Sequence, residues 1–520
     1  MNASATGFVG RRAAYGGYVL LFLAATAIAF YVILPVRAGQ VGYDAAASVL
    51  YFDRLVQGRH LEGFVGTTPK PLLTVVYGLV YNIFHDWRPI SWLAIGVLGS
   101  SAVLAAVLVR RFAGLPGAAF AGLAVIGLEA LLKDASLSYA VGWAFAGCLL
   151  AGLAVSEARP RYAWAGVALA LAGLARIEVV LIPGLALVVL SAVWVSASAR
   201  RRPAPDRRPW LVLIGLLAIP IQLVHDWLLT GNALYSESVP GIGSAGLALN
   251  GPGTWIVLIA EHVLKLGVFV VLAGLGVVLL WRARQWAMLV GLAAMGPGVA
   301  AFLVLLAARR IYVSARYLDP IDVSIMIAAA IGFGALAIPS LAEAAGRLFD
   351  RPRAPAWARP VAIVALTALV VLVASTPFAP TNRALRLTIR GNLDIERDAR
   401  AALPTIRTAV EAMPGVADWP GPAANQPAAL LVPTLLKPQF MVDLGLPVGQ
   451  VGSGLPATMR TDGSFPRVGQ IVFHDQRSEP DPAFDFLEVS TPTIIGAIKV
   501  TPLLASPANG YWVVSIDPAP

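Results

Sequence analysis

Ionisable side chains are scarce in this sequence, so where they stand is informative. Asp44 closes the run Val41-Gly42-Tyr43-Asp44 shortly after the first long apolar segment, and Asp53 follows nine residues later beside Arg54. A carboxylate at Asp44 can take a proton from a hydroxyl or cap a helix over residues 45–50. Asp53 can be a second acid or the partner of Arg54, and the pairing is the simpler role. Lys70 stands between Pro69 and Pro71, which fix the local backbone. Its ammonium can meet an anion there or snorkel to lipid head groups. Arg309, Arg310 and Arg316 cluster near Tyr317, and several guanidinium groups at one surface suit an anionic ligand or head groups. Arg176 and Glu178 interrupt a long apolar stretch. Ionisable residues inside a membrane mark functional sites by default, and a structural ion pair between helices is the competing role. His225-Asp226 and Glu261-His262 contain metal-ligand types, but adjacent helical residues point to different faces.

The elements that must position these groups are membrane helices. The chain has 520 residues, 58% hydrophobic and 13% charged, with a mean hydropathy of +0.74. A typical soluble domain is about 45–50% apolar and about 25% charged. Soluble enzymes, disordered tails and collagen-like chains are excluded. The net charge of +10 comes from arginines between apolar blocks, where they set orientation, so it does not indicate nucleic acid. The single cysteine, Cys148, rules out a disulfide framework or a cysteine-based metal site within one chain.

Apolar runs predict eleven spans: 14–36, 90–109, 114–132, 137–156, 162–176, 178–198, 209–230, 264–281, 286–308, 318–340 and 360–378. The first lacks a clean cleavage site and is expected to be an uncleaved anchor. With the N-terminus inside, the clusters at Arg11-Arg12, Arg110-Arg111, Arg200-Arg201-Arg202 and Arg282/Arg284 all face the cytoplasm. The plasma membrane is the expected location, and the C-terminus is expected outside. All five histidines then fall outward.

Residues 37–89 form the first outer loop. Its apolar piece, 72–84, is short for a span and ends in His85-Asp86-Trp87-Arg88, which fits a helix lying in the interface. Counting it as a span would invert every later arginine cluster. Residues 379–520 contain no spanning run. Short apolar stretches at 429–433, 470–473 and 511–516 predict strands, and 393–413 predicts a helix. The expected organisation is a transmembrane domain over 1–378 and an extracytoplasmic α/β domain over 379–520, without a catalytic motif of its own.

An acid after the first span, a proline-flanked lysine, an interfacial helix and then the second span resemble the GT-C membrane glycosyltransferases. Protein O-mannosyltransferases, the lipid A aminoarabinose transferase and mycobacterial arabinofuranosyltransferases share this layout. The resemblance covers residues 14–378 in layout. Its motif-level likeness lies in Tyr43-Asp44, Pro69-Lys70-Pro71-Leu72, Gly173-Leu174-Ala175-Arg176-Ile177-Glu178, Thr230-Gly231-Asn232 and Ala315-Arg316-Tyr317-Leu318. Asp44 is followed by Ala45 rather than a second acid, and Leu72 stands where a second proline is common.

The resemblance implies sugar transfer from a polyprenyl-phosphate carrier to a cell-envelope glycan, lipid or protein on the outer face, with membrane lipids as further partners. It implies Asp44 as base and Lys70, Arg176 and Arg316 as donor-phosphate ligands. Tyr43, Asp53, Glu178, Arg309, Arg310 and Tyr317 would support them. No cofactor is firmly implied; a divalent cation stays open. The competing class is a transporter or flippase of lipid-linked substrates. Transporters keep polar groups near the bilayer midplane, often in repeated halves. Here the charges collect at the outer rim and no repeat is found.

Overall fold

The computed structural model describes residues 23, 41–61, 67–200, 203, 205–236, 251–309, 315–349, 383–413, 430–432, 436–446, 451–453, 469–475 and 487–520. The predicted spans 14–36 and 360–378 lie outside these residues, Leu23 apart. So does the side chain of Arg316 and the whole of Arg310.

The segment expected to form the first outer loop holds two helices of 14 residues each, α1 (Tyr43–Val56) and α2 (Pro71–Phe84). At 1.5 Å per residue each is about 21 Å long, short of a hydrocarbon core about 30 Å thick. The N-cap of α1 is Gly42, without a side-chain cap. Asp44 therefore sits inside the first turn, and its expected alternative role as cap is ruled out. Gly42 is needed by close approach: a Cβ there would come 2.5 Å from the Tyr139 ring and 2.7 Å from the Leu137 carbonyl. In α2, Pro71 occupies the first turn, where its missing N–H costs nothing, and Lys70 becomes the N-cap.

Next comes α3 (Arg88–Gly127), broken at Gly114, whose φ of 63° no other residue type adopts readily. The two spans predicted at 90–109 and 114–132 thus meet at the break at Gly114, and the second runs past the end of α3 at Gly127. Then follow α4 (Glu129–Ser136), α5 (Val141–Val155), α6 (Tyr162–Ala175), a 3-10 turn (Ile177–Val180) and α7 (Leu181–Ala199). A 3-10 segment (Arg208–Leu217) leads into α8 (Ala218–Thr230). Helices α9 (Pro252–Lys265) and α10 (Val268–Arg282) meet at an 89° bend. After them come α11 (Trp286–Ala293), α12 (Val299–Ala308) and α13 (Asp319–Phe349).

Among the described residues, five helical segments are long and apolar enough to cross a membrane, or six if the bent pair is one span. Helices α5 and α6, expected as full spans, have only 15 and 14 residues. The main core joins α3, α5, α10 and α13, with Phe120 packed between Phe269 and Phe333 at centroid distances of 5.8 and 5.1 Å. Gly276 and Gly332 let α10 and α13 touch backbone to backbone, since a Cβ on Gly276 would lie 2.0 Å from the Ala328 carbonyl.

The C-terminal part contains α14 (Arg383–Glu411), β1 (Leu430–Val432), α15 (Lys437–Leu444), β2 (Val451–Ser453), β3 (Gln470–Asp475), β4 (Thr493–Ile495), β5 (Ile498–Ser506) and β6 (Tyr511–Pro518). Its sheet has the order β2-β1-β3-β6-β5-β4. The β1 pairings are parallel and the rest antiparallel. This part does not stand alone. Ala47, Leu50 and Tyr51 of α1 and Leu229 of α8 share one buried core with Ile406, Phe440, Phe473 and Val513. The helix that carries Asp44 is therefore wedged against the sheet domain.

Candidate functional site

Asp44 is buried, with 6% of its surface exposed. Its Oδ1 accepts a hydrogen bond from Thr67 Oγ1 at 2.8 Å, and its Oδ2 lies 3.1 Å from Lys70 Nζ. Lys70 Nζ also donates to Thr67 Oγ1 at 3.4 Å and to the Thr68 carbonyl at 3.3 Å. The short segment 67–70 thus carries a hydroxyl and an ammonium to one carboxylate. Tyr51, two turns along α1 from Asp44, pins that segment by donating to the Thr67 carbonyl at 2.7 Å. Complete burial drives the Tyr51 phenol well above its ordinary pKa, and Tyr235, Tyr43 and Asp44 add to the effect. Tyr51 is therefore a neutral donor at any physiological pH.

A second buried ion pair lies at the end of α6. Helix α6 ends at Arg176, whose extended backbone breaks the helix before the 3-10 turn. Both Arg176 and Glu178 are thereby buried, with Nη2 to Oε1 at 3.0 Å and Nε to Oε2 at 3.4 Å. The Arg176 guanidinium also lies over the Tyr317 ring, 5.4 Å from its centroid.

Arg176 and Glu178 line one end of a cavity of about 1250 Å³. Its wall runs through Phe145, Leu169, Met295 and Val323 to Trp281 and Trp286, and no other described residue lining it is charged. Such a cavity can hold a long apolar chain with an anionic end at Arg176.

Other expected site residues lie elsewhere. Asp53 accepts from Asn82 Nδ2 at 3.1 Å, a contact with the far end of α2. Half-buried, its carboxyl is pushed above the usual range by desolvation. It is not joined to Asp44, since nine helical residues separate them by about 13 Å. Tyr43 packs against the core shared with the sheet domain. Arg309 is exposed at the end of α12. Arg316 belongs to the 3-10 turn Ala315–Leu318, so its expected meeting with Lys70 lies outside the described side chains.

His225 Nδ1 is 3.9 Å from Asp226 Oδ1, beyond hydrogen-bond distance, and His262 Nε2 meets Asp322 Oδ1 at 2.6 Å. Among the described residues no three His, Cys, Asp or Glu side chains are grouped to hold a metal ion. Sequence reasoning missed Thr67 and Tyr51. Thr67 carries only the faint signal of a hydroxyl beside the proline-flanked lysine, and Tyr51 only that of an aromatic two turns after Asp44.

No protein-family model and no curated protein sequence matches this chain. Solved structures are similar to it. ArnT from Cupriavidus metallidurans in the apo state matches at 16% identity and a TM-score of 0.49, over 96% of this chain and 98% of that one. The apo oligosaccharyltransferase of Archaeoglobus fulgidus matches at 12% identity and a TM-score of 0.49, over 88% of this chain and 69% of that one. The oligosaccharyltransferase AglB of Archaeoglobus fulgidus, in complex with an inhibitory peptide and a dolichol-phosphate, matches at 12% identity and a TM-score of 0.46. That match covers 85% of this chain and 65% of that one. ArnT and AglB are GT-C superfamily members.

Proposed function

We propose that this protein is a membrane glycosyltransferase that moves a sugar, hexose or pentose, from a polyprenyl-phosphate carrier to a cell-envelope acceptor on the outer face. The observation that carries the proposal is a buried carboxylate–ammonium pair, Asp44–Lys70, together with a buried guanidinium, Arg176, that lines with Glu178 a cavity whose other described lining residues are uncharged. The isoprenoid lies in the cavity, and its phosphate meets Arg176 and Lys70. Arg316, in the turn beside Tyr317, is a further phosphate ligand. As the acceptor oxygen bonds to the anomeric carbon, Asp44 takes the acceptor's proton. The sugar–oxygen bond to phosphate breaks, the phosphate keeps the electron pair, and the two cations offset its growing charge. The sheet domain packs on α1 beside Asp44, a position suited to holding the acceptor. The cytoplasmic arginine clusters set the orientation: a reporter after Asp350 reads cytoplasmic and one after Pro380 reads extracytoplasmic.

The test is reconstitution of the purified full chain in vesicles with a panel of radiolabelled polyprenyl-phosphate sugars and envelope extract. A new glycosidic product, absent when Asp44→Asn replaces the wild type, is the expected result. Movement of the intact lipid-linked sugar across the bilayer without a new bond would make the protein a transporter instead. Mass spectrometry of envelope glycans from a deletion strain identifies the missing sugar.

A further inference from the structure

The motif Thr230-Gly231-Asn232 ends α8, and its geometry points past the helix end. Gly231 takes a left-handed conformation, φ 71°, which turns the chain back on itself. Thr230 Oγ1 accepts from the Asn232 N–H at 3.1 Å, and Asn232 Oδ1 accepts from the Leu234 N–H at 3.0 Å. These two local bonds fold residues 232–236 against α8. Ser236 then delivers its N–H to Asp226 Oδ2 at 2.8 Å and its hydroxyl to Asp226 Oδ1 at 3.0 Å.

Asp226 is 1% exposed. Its Oδ1 also accepts from Gln222 Nε2 at 2.7 Å, one turn earlier on the same helix. The same Nε2 donates to the Pro69 carbonyl at 3.1 Å, across 153 residues of sequence. All the partners of that nitrogen can accept, and two of them can only accept, so the orientation of the amide is fixed by chemistry. Pro69 is the residue immediately before Lys70. On the other side of Lys70, its carbonyl is held by the Thr74 N–H at 2.8 Å. The backbone on both sides of Lys70 is therefore clamped, once by its own helix and once by Gln222.

We propose that Gln222 and Asp226 are positioning residues for Lys70, with the Thr230–Ser236 turn as the brace that holds Asp226 in place. Asp226 orients the Gln222 amide, Gln222 fixes the Pro69 carbonyl, and the ammonium of Lys70 is thereby aimed at Asp44 and at a ligand anion. The value of this device for catalysis rests on the glycosyltransferase proposal; the positioning itself does not. A flexible four-carbon side chain finds an anion efficiently only when its root is fixed.

The isosteric change Asp226→Asn breaks the clamp without changing volume. An amide NH₂ at the Oδ2 position faces the Ser236 N–H. At the Oδ1 position it faces the Gln222 NH₂, and a flipped Gln222 would turn its oxygen toward the Pro69 carbonyl. Gln222→Met removes the link at similar length. Both variants are made in the full chain and held in lipid nanodiscs, with Ser236→Ala as a milder third that keeps the backbone bond to Asp226.

The first readout is competitive acetylation of lysines by acetic anhydride across a pH series, quantified at Lys70 by mass spectrometry. Lys70 acetylation is expected to rise about tenfold in Asp226→Asn and Gln222→Met, and less in Ser236→Ala. Lys499, far away in the sheet domain, is expected to stay unchanged. The second readout is kcat/KM for the polyprenyl-phosphate sugar, which falls about tenfold, since Lys70 meets the phosphate in the bound donor and again as its charge grows.

Unchanged Lys70 acetylation in folded Asp226→Asn and Gln222→Met overturns the proposal. A wild-type kcat/KM for the polyprenyl-phosphate sugar in folded Asp226→Asn and Gln222→Met also overturns it. Should both variants fail to fold, Ser236→Ala decides: wild-type Lys70 reactivity in it is again an overturning result. If acetylation shifts but no polyprenyl-phosphate sugar is used by any form, the positioning stands and the glycosyltransferase proposal falls.

Discussion

The two buried ion pairs of the site are built in opposite ways. Arg176 and Glu178 are two residues apart, and a break in one helix is enough to bring them together. Asp44 and Lys70 are 26 residues apart and meet only because α1, the Thr67 segment and α2 are packed around them. The first pair is a fixed fork, aligned by two bonds and an aromatic ring. The second joins a carboxylate to a point charge whose ammonium also reaches Thr67 Oγ1 and the Thr68 carbonyl. A rigid fork suits holding a ligand in place, and a carboxylate that meets a hydroxyl on one oxygen and an ammonium on the other suits moving a proton.

That contrast breaks if the wrong carboxylate matters most. Asp44→Asn is expected to cut transfer by about 10²–10⁴-fold, the usual weight of a general base, with donor binding nearly intact. Glu178→Gln should instead weaken donor binding. A greater loss of turnover in Glu178→Gln than in Asp44→Asn would reverse the two roles.

The next effect is on stability. Arg176→Met strands a buried carboxylate and is expected to cost about 3–5 kcal/mol, while Arg176→Met with Glu178→Leu recovers most of it. Lys70→Met should cost less, because Asp44 keeps the Thr67 hydroxyl. Thermal unfolding in detergent with the three variants side by side checks this order.

A smaller effect lies where the sheet domain meets the membrane helices. Tyr81 Oη and Trp87 Nε1 both donate to Asp443 Oδ1, at 3.0 and 3.1 Å. Burial pushes the Asp443 carboxyl above the usual range, against the lowering effect of those two donors. The folded state therefore holds this proton more tightly than the unfolded one. Stability is fullest below the ordinary carboxylate range and falls as pH rises through the raised value. Asp443→Ala leaves two donors without an acceptor and should cost about 1–3 kcal/mol. Asp443→Asn keeps an acceptor, removes the charge, and should flatten this part of the pH profile of unfolding. The smallest effect is expected at Asp53→Asn, within about 0.5 kcal/mol and with near-normal transfer, since Asp53 contacts α2 and not Asp44.

The sequence was a good guide wherever the signal is local. The short apolar run at 72–84 is α2 (Pro71–Phe84). The runs at 209–230 and 286–308 match continuous helical segments at 208–230 and 286–308. The strand stretch at 429–433 contains β1, and those at 470–473 and 511–516 match the first residues of β3 and β6, each of which runs two residues further. It was a poor guide to partners. Asp226 stood out only as a metal-ligand type on a different helix face from His225, and its oxygens are taken by Gln222 and Ser236. Gln222 carried no signal, because a lone amide in an apolar helix looks the same whether it faces lipid or a carbonyl 153 residues away.

By itself, then, the sequence determined a multi-pass helical membrane protein, the ends of many of its helices, and the small pool of charged residues from which a site could be drawn. Run length, helix-breaking glycine and proline, and arginine placement act within a few turns of chain, so they can be read in one dimension. Only the tertiary structure decided that Asp44 meets Lys70 through Thr67, that Arg176 closes an apolar cavity, and that the sheet domain shares a core with α1. Those contacts depend on which helix faces are pressed together. A buried charge is tolerable only where packing has already placed its partner, and that placement is a property of the assembled bundle.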